Sequence, residues 1–243
     1  MRVDTRAIVC AVRAHAEHGA IVRAMTPAGG LCAGYVRGGR SRRLRPVLMP
    51  GNVVQAQYSA RTADQLAQLS VELIHSRAPL FEEPLAAAAI EWLCTLTAVA
   101  LPEEQGYSQV YSALDGVLSA IEAAPAASGW GGALVRYELL ILGELGFGLD
   151  LTQCAATGST AELDFVSPKS GRAVCASAAE DYRDRLFALP RFMREGGSAS
   201  WQEIFEGLKI TGHFLARDLL IERQSDCLAA RERLVDRLQR VTR

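Results

Sequence analysis

The spacing of apolar positions changes once along the 243 residues. Before residue 77 it has a period of two. Over residues 53–60, Val54, Ala56, Tyr58 and Ala60 share one face while Gln55, Gln57 and Ser59 take the other. Further on, Leu69, Val71 and Leu73 alternate with Gln68, Ser70 and Glu72. The β-branched runs RAIVCAV, AIVRAMT and LCAGYVR come earlier, separated by RAHAEHG and PAGG. Period two punctuated by Gly and Pro predicts half-buried strands. Five short strands in about 75 residues cannot cover both faces of a flat sheet, whereas a small closed barrel leaves no edge open. An OB-fold has this strand count, and residues 37–52 then connect its third and fourth strands.

From Ala78 the pattern turns helical. Glu82, Glu83 and Pro84 form a helix start ahead of an Ala-rich interior. Tyr107, Val110, Tyr111, Leu114, Val117, Leu118 and Ile121 recur at helical spacing. ALVRYELLILGELGFG is apolar nearly all round, which predicts a helix enclosed by a bundle, with Gly146 and Gly148 as stops. Trp201, Ile204, Phe205 and Leu208 make one stripe. Phe214, Leu215 and Leu219 are assigned to a second helix, and Leu234, Val235, Leu238 and Val241 to a last one. Within this half, residues 154–175 read as a small hairpin with a cysteine at each end. The predicted fold is therefore α+β. A five-stranded OB-fold barrel over 1–77 precedes an α-helical domain over 78–243, and a cysteine hairpin is inserted at 151–176.

Composition adds a division of charge. Apolar residues make up 49% and charged residues 22%, the balance of an ordinary globular protein. No apolar run approaches eighteen residues and MRVDTRAIVC lacks a signal-peptide pattern, so a cytoplasmic protein without a membrane span is expected. The six scattered cysteines form no CxxC pair and are expected to be free thiols. Through Arg61 the chain holds ten arginines against Asp4 and Glu17, a net charge of +8; the remainder carries −9. Five of those arginines, Arg37, Arg40, Arg42, Arg43 and Arg45, crowd into residues 37–45 with no acid among them.

The enzyme signatures GxGxxG, GxxxxGK[ST], HExxH and GxSxG are missing, and the four histidines are dispersed. The chain reads as a non-enzyme. A glycine-flanked, flexible loop of guanidiniums can follow phosphates and release their counterions. Tyr35 and Tyr58 are candidate stacking residues beside it, although Tyr58 shares its face with Val54 and Ala56 and suits the core. The alternative, a metal-dependent nuclease, needs clustered carboxylates, for which Glu82, Glu83, Glu103 and Glu104 are the candidates. Cys154 and Cys175 fall short of a zinc site, because the positions three residues on are Thr157 and Ala178. No metal or cofactor is expected. Arg136, read alone, is a surface ion pair near Glu138.

VRGGRSRR with PVLMPGN, RYELLILGELGFGLDLTQCAATG and DFVSPKSGRAVC together resemble the RecO family of bacterial recombination mediators, across nearly the whole chain. That resemblance implies an N-terminal OB-fold, binding of single- and double-stranded DNA, and annealing of complementary strands. It implies help in loading RecA with RecR, recognition of the C-terminal tail of single-stranded-DNA-binding protein, and a place among nucleoid-associated proteins. It also implies that Arg136 contacts the tail peptide. Cys154 and Cys175 resemble two of the four ligands in the zinc module of some members, so this chain is similar to the zinc-free ones.

Overall fold

The computed structural model describes residues 2–62, 65–124, 129–220 and 225–242. Strands β1 (Arg2–His15), β2 (Gly19–Thr26), β3 (Gly30–Val36), β4 (Val53–Ser59) and β5 (Ala67–His75) close a barrel in the order β1-β2-β3-β5-β4. Neighbours are antiparallel except β3 and β5, which meet in parallel at Gly34–Ala67 and Tyr35–Gln68. At this closure a Cβ on Gly34 would lie 2.6 Å from the Cβ of Leu69, so the third strand needs a glycine to approach the fifth. The period-two positions point inward as predicted: Val22, Ala24, Val54, Ala56, Tyr58 and Leu69 belong to the barrel core. β1 pairs with β4 through Ile8, then bulges between Val9 and Ala11 and pairs with β2 alone as far as His15.

The described residues fall into two compact units. The first comprises Met1–Pro125 with Ala229–Leu234, so it extends well past the end of the barrel. Helix α1 (Pro84–Ala100) begins with Pro84 in its first turn, where a missing N–H leaves no bond unmade. Its small Ala86, Ala88 and Ala89 are buried, letting it pack closely on β1 and β2. The Cys94 thiol is pushed up by hydrogen bonding with Cys10 and by burial. Helix α2 (Ser108–Ala123) buries Val110, Leu114, Val117, Leu118 and Ile121, the stripe read from the sequence.

The second unit comprises Ala126–Leu228 and Val235–Arg243. It holds α3 (Gly131–Glu144), the hairpin strands β6 (Leu163–Val166) and β7 (Ala173–Cys175), β8 (Phe187–Ala188), α4 (Phe192–Glu195) and α5 (Trp201–Phe214). Helix α6 (Ser225–Val241) contributes to both units. The hairpin is a three-stranded sheet ordered β7-β6-β8, and its two-residue third strand is too short to carry a periodic signal. Glycines set the α3–α5 contact: a Cβ on Gly131 or Gly207 would come within 2.9 Å of Ile204 or Val135.

Three expectations are corrected here. Helix α3 is not enclosed, because Arg136, Leu139 and Leu140 are only half-buried and Gly143 and Glu144 are exposed. Phe214, Leu215 and Leu219 do not start a second helix. With no breaker strong enough before them, α5 runs to Phe214 and widens into a π turn over Leu215–Leu219. Glu138 is no surface neighbour of Arg136: it is fully buried and accepts a hydrogen bond from the Thr211 hydroxyl on α5.

Candidate nucleic-acid interface

The connection between β3 and β4 is folded onto the barrel. The Arg45 N–H donates to the Ser41 carbonyl at 3.0 Å and the Leu48 N–H to that of Leu44 at 3.0 Å, forming a helical turn. Leu44, Val47 and Leu48 stand at i, i+3 and i+4 and pack against the barrel core. The intervening arginines consequently face outward. This corrects the expectation of a flexible loop: a Cβ on Gly39 would sit 2.7 Å from that of Ala20, so the glycine permits close approach. Asn52 ends the segment. Its side chain, fully buried, donates to the Pro46 and Val47 carbonyls at 2.8 and 3.1 Å and accepts from the Arg77 N–H at 2.8 Å.

Arg37, Arg40, Arg42, Arg43 and Arg45 are all exposed, and among the described residues none has a carboxylate partner. Arg40 donates to the Glu17 carbonyl at 3.1 Å, tying the segment to the β1–β2 turn. Arg40 and Arg45 border a groove of about 450 Å³ whose floor is Val12, Ala14, Ala20 and Leu48. A cationic rim over an apolar floor offers phosphate contacts and a surface for bases. Tyr35 is not on that side. Strand alternation places Val12, Ala14 and Ala20 on one face and Arg13, His15 and Tyr35 on the other. The Tyr35 ring is seated over Gly19 with His15 edge-on, centroids 5.8 Å apart. The exposed Arg13, on the same face with Ile21 between the two, is a cation the sequence reading passed over, since it stands alone in a strand pattern. Tyr58 lies in the core, and burial pushes its hydroxyl up.

Arg77 was also missed. Only 2% exposed, it donates to the Gly51 carbonyl at 2.7 Å and to Asp115 and Ser119 at 3.4 and 3.3 Å, and its Nε stands 3.5 Å from Glu122. It fastens the end of the arginine segment to α2. No local pattern marks it, because Gly51, Asn52, Asp115, Ser119 and Glu122 are all distant from it in sequence.

The remaining candidates separate. Arg136 lies in the second unit, at a trough of about 610 Å³ lined by Leu139, Leu140, Gly143, Glu144 and Met193, and donates to the Gly197 carbonyl at 3.4 Å. Glu82 and Glu83 precede α1 while Glu103 and Glu104 follow it; seventeen helical residues hold the two pairs about 25 Å apart. Glu103 is further engaged by Arg23 at 2.8 Å. Among the described residues no group of three or more His, Cys, Asp or Glu is placed to share a metal ion.

Cys154 and Cys175 do meet. The Cys175 N–H donates to the Cys154 sulfur at 3.3 Å, and the Thr157 and Ser177 hydroxyls stand 3.5 and 3.4 Å from the Cys175 sulfur. Burial pushes the Cys154 thiol up, but the Thr157 hydroxyl and the N–H groups of Cys175, Thr157 and Ala156 outweigh it and hold it at about 6. Two thiols and two hydroxyls do not make the four nitrogen or sulfur donors that a structural zinc ion takes.

A closed OB-fold barrel with an uncompensated arginine segment, followed by a helical region carrying a cysteine hairpin, defines the class: an OB-fold protein with a basic, anion-facing turn and a helical C-terminal half. Residues 1–77 match the family model described as Recombination protein O N terminal, and residues 82–226 that described as Recombination protein O C terminal. The chain belongs to the RecO family. It is 43% identical over 237 residues to the DNA repair protein RecO of Rhodospirillum centenum, covering 96% of this chain and 93% of that one. It is 41% identical to the protein of the same name from Gluconacetobacter diazotrophicus, covering 97% and 94%. With that of Phenylobacterium zucineum the identity is 40% over the whole of both chains. Among the described residues no helix is long and apolar enough to cross a membrane.

Proposed function

We propose that the chain is a non-enzymatic mediator that binds single- and double-stranded DNA through the arginine segment and anneals complementary strands. The observation that carries this is the set of five exposed guanidiniums without carboxylate partners, displayed by a turn whose apolar side is anchored in the barrel. Contacts to phosphate give affinity without choice of sequence. A strand whose charge is partly neutralised repels its complement less, so pairing is faster. Arg37, Arg40, Arg42, Arg43 and Arg45 are the phosphate contacts, and Tyr35 with Arg13 extends the surface across the outer face.

Family membership supports the wider role: work with RecR, capture of the acidic tail of single-stranded-DNA-binding protein, and loading of RecA on coated DNA in the cytoplasm. Arg136 beside the Leu139–Leu140 trough has the chemistry for that tail, a cation next to the apolar side chains of Leu139, Leu140 and Met193. No metal or other cofactor takes part. The test is fluorescence anisotropy with a single-stranded oligonucleotide across a salt series. Binding that weakens steeply with salt is expected; absence of binding in dilute buffer defeats the proposal. Cleavage of labelled DNA on addition of Mg²⁺ would defeat its non-enzymatic part.

A further inference from the structure

The hairpin of the second unit carries a cleft that the arginine segment does not explain. It measures about 460 Å³ and is lined by Ser167, Lys169, Ser170, Tyr182 and Arg185 over an apolar base that includes Val174 and Leu186. Every charged side chain in the lining is a base. Lys169 and Arg185 are exposed, and among the described residues neither has a carboxylate partner. Tyr182 is 39% exposed, which leaves part of its ring open to the cleft.

The geometry is held firmly. The Gly171 N–H donates to the Ser167 carbonyl at 2.9 Å, and Gly171 takes φ +69°, closing the turn that presents Lys169. From behind, the Arg217 guanidinium donates to the carbonyls of both Pro168 and Lys169, and His213 Nε2 stands 3.0 Å from that of Pro168. On the opposite wall the Arg185 N–H donates to the Tyr182 carbonyl at 2.9 Å, so a single 3₁₀ turn aims both side chains into the cleft. The intervening Arg183 is occupied elsewhere, stacked 5.1 Å over the Phe165 ring. A turn clamped in this way presents its cation with little ordering entropy left to lose on binding.

Two cations, two hydroxyls and an exposed ring around an open cleft match one ligand chemistry: a sugar–phosphate chain whose bases are free to stack. We infer that this cleft holds a second stretch of unpaired DNA, so that each compact unit carries its own strand-binding surface. The inference rests on the reading of the protein as DNA-binding. It adds a second basis for annealing to the charge neutralisation at the arginine segment, since two strands held by one protein meet at raised local concentration.

The test uses the full chain in three forms: wild type, Lys169→Glu with Arg185→Glu, and Tyr182→Ala. Two phosphate contacts on a single strand account for a salt slope of about 1.4, so the charge-reversed form should lose that much slope and on the order of tenfold in affinity at moderate salt. Tyr182→Ala should weaken binding by about fivefold or more with the slope unchanged, because stacking releases no counterions. Both forms should anneal complementary oligonucleotides more slowly than wild type. Crosslinking of wild type to a bromodeoxyuridine oligonucleotide, read by mass spectrometry, should mark Tyr182 and needs no substitution to fold. A wild type that ignores DNA defeats the reading of the protein as a whole. A wild type that binds, with both variants equal to it in slope, affinity and annealing, overturns the second surface alone. Loss of binding to a poly-glutamate peptide with DNA affinity intact overturns it in favour of an acidic protein partner.

Discussion

The backbone N–H of Arg77 donates to the side-chain oxygen of Asn52 at 2.8 Å, and Asn52 in turn holds two carbonyls of the arginine segment. One buried amide therefore joins the arginine turn to the residue that bridges barrel and α2. Asn52→Asp would set a carboxylate oxygen against the carbonyls of Pro46 and Val47. Losing two buried hydrogen bonds and gaining that repulsion costs about 3 kcal/mol. A melting temperature lower by roughly 10 °C is expected, with Asn52→Ala falling between the two. Differential scanning calorimetry checks the order; an aspartate variant as stable as wild type would show that Asn52 is not the tie.

The arginine segment yields a prediction that separates charge from shape. Replacing Arg40, Arg42 and Arg43 by alanine removes three phosphate partners at about 0.7 each, so the salt slope on single strands should fall by about 2. Replacing the same three by lysine keeps the charges and should keep the slope. Arg40→Ala alone should also loosen the β1–β2 turn, since its guanidinium donates to the Glu17 carbonyl, whereas among the described residues Arg42 and Arg43 have no such anchor. Anisotropy titrations at four or more salt concentrations would expose an unchanged alanine slope, which would move the DNA elsewhere.

The parts of this protein legible in its sequence are those where local pattern and burial agree. Val54, Ala56 and Tyr58 alternate because the barrel has one wet face, and Pro84 opens α1 because its missing N–H costs nothing there. The arginines could be found because they are adjacent. Their rigidity could not: Leu44, Val47 and Leu48 look like loop residues until the barrel beneath supplies the core they fill. Arg77 was invisible for a related reason, being a buried cation whose partners, Asp115, Ser119 and Glu122, lie about forty residues away. Tyr35 shows the limit of judging by proximity in sequence, since Val36 alone separates it from Arg37 while strand parity sets it on the face opposite to Ala20 and the groove.

Arg136 gives a prediction in which stability and binding part company. Its bond to the Gly197 carbonyl is long and exposed, so Arg136→Ala should change stability by less than about 0.5 kcal/mol. Affinity for a peptide with the acidic C-terminal sequence of single-stranded-DNA-binding protein should nonetheless fall roughly tenfold or more, the usual consequence of removing the cation from a charge-assisted pair. Arg136→Lys should recover only part, because an ammonium cannot grip a carboxylate with two parallel bonds. Peptide titrations by calorimetry would reject this role if the alanine variant bound like wild type.

Helix α5 begins with a reciprocal cap: the Glu203 N–H donates to the Ser200 hydroxyl oxygen at 3.3 Å, and the Ser200 N–H donates to the Glu203 carboxylate at 2.8 Å. The Ser200 backbone and hydroxyl hold the Glu203 carboxyl below its ordinary value. A carboxyl whose folded value is depressed contributes stability above its unfolded value and loses that contribution as pH falls through the folded one. Wild type should therefore melt higher than Glu203→Gln at neutral pH, and the gap should close as the solution is taken below the carboxylate range. Ser200→Ala should cost about 1 kcal/mol at pH 7, a shift of about 2–4 °C. Since α5 supplies Arg217 through the turn that follows it, and Arg217 clamps the Lys169 turn, weakening this cap should also slow annealing near the melting range. A gap between wild type and Glu203→Gln that stayed constant from pH 7 to strongly acid solution would show that the carboxylate contributes nothing as a charge.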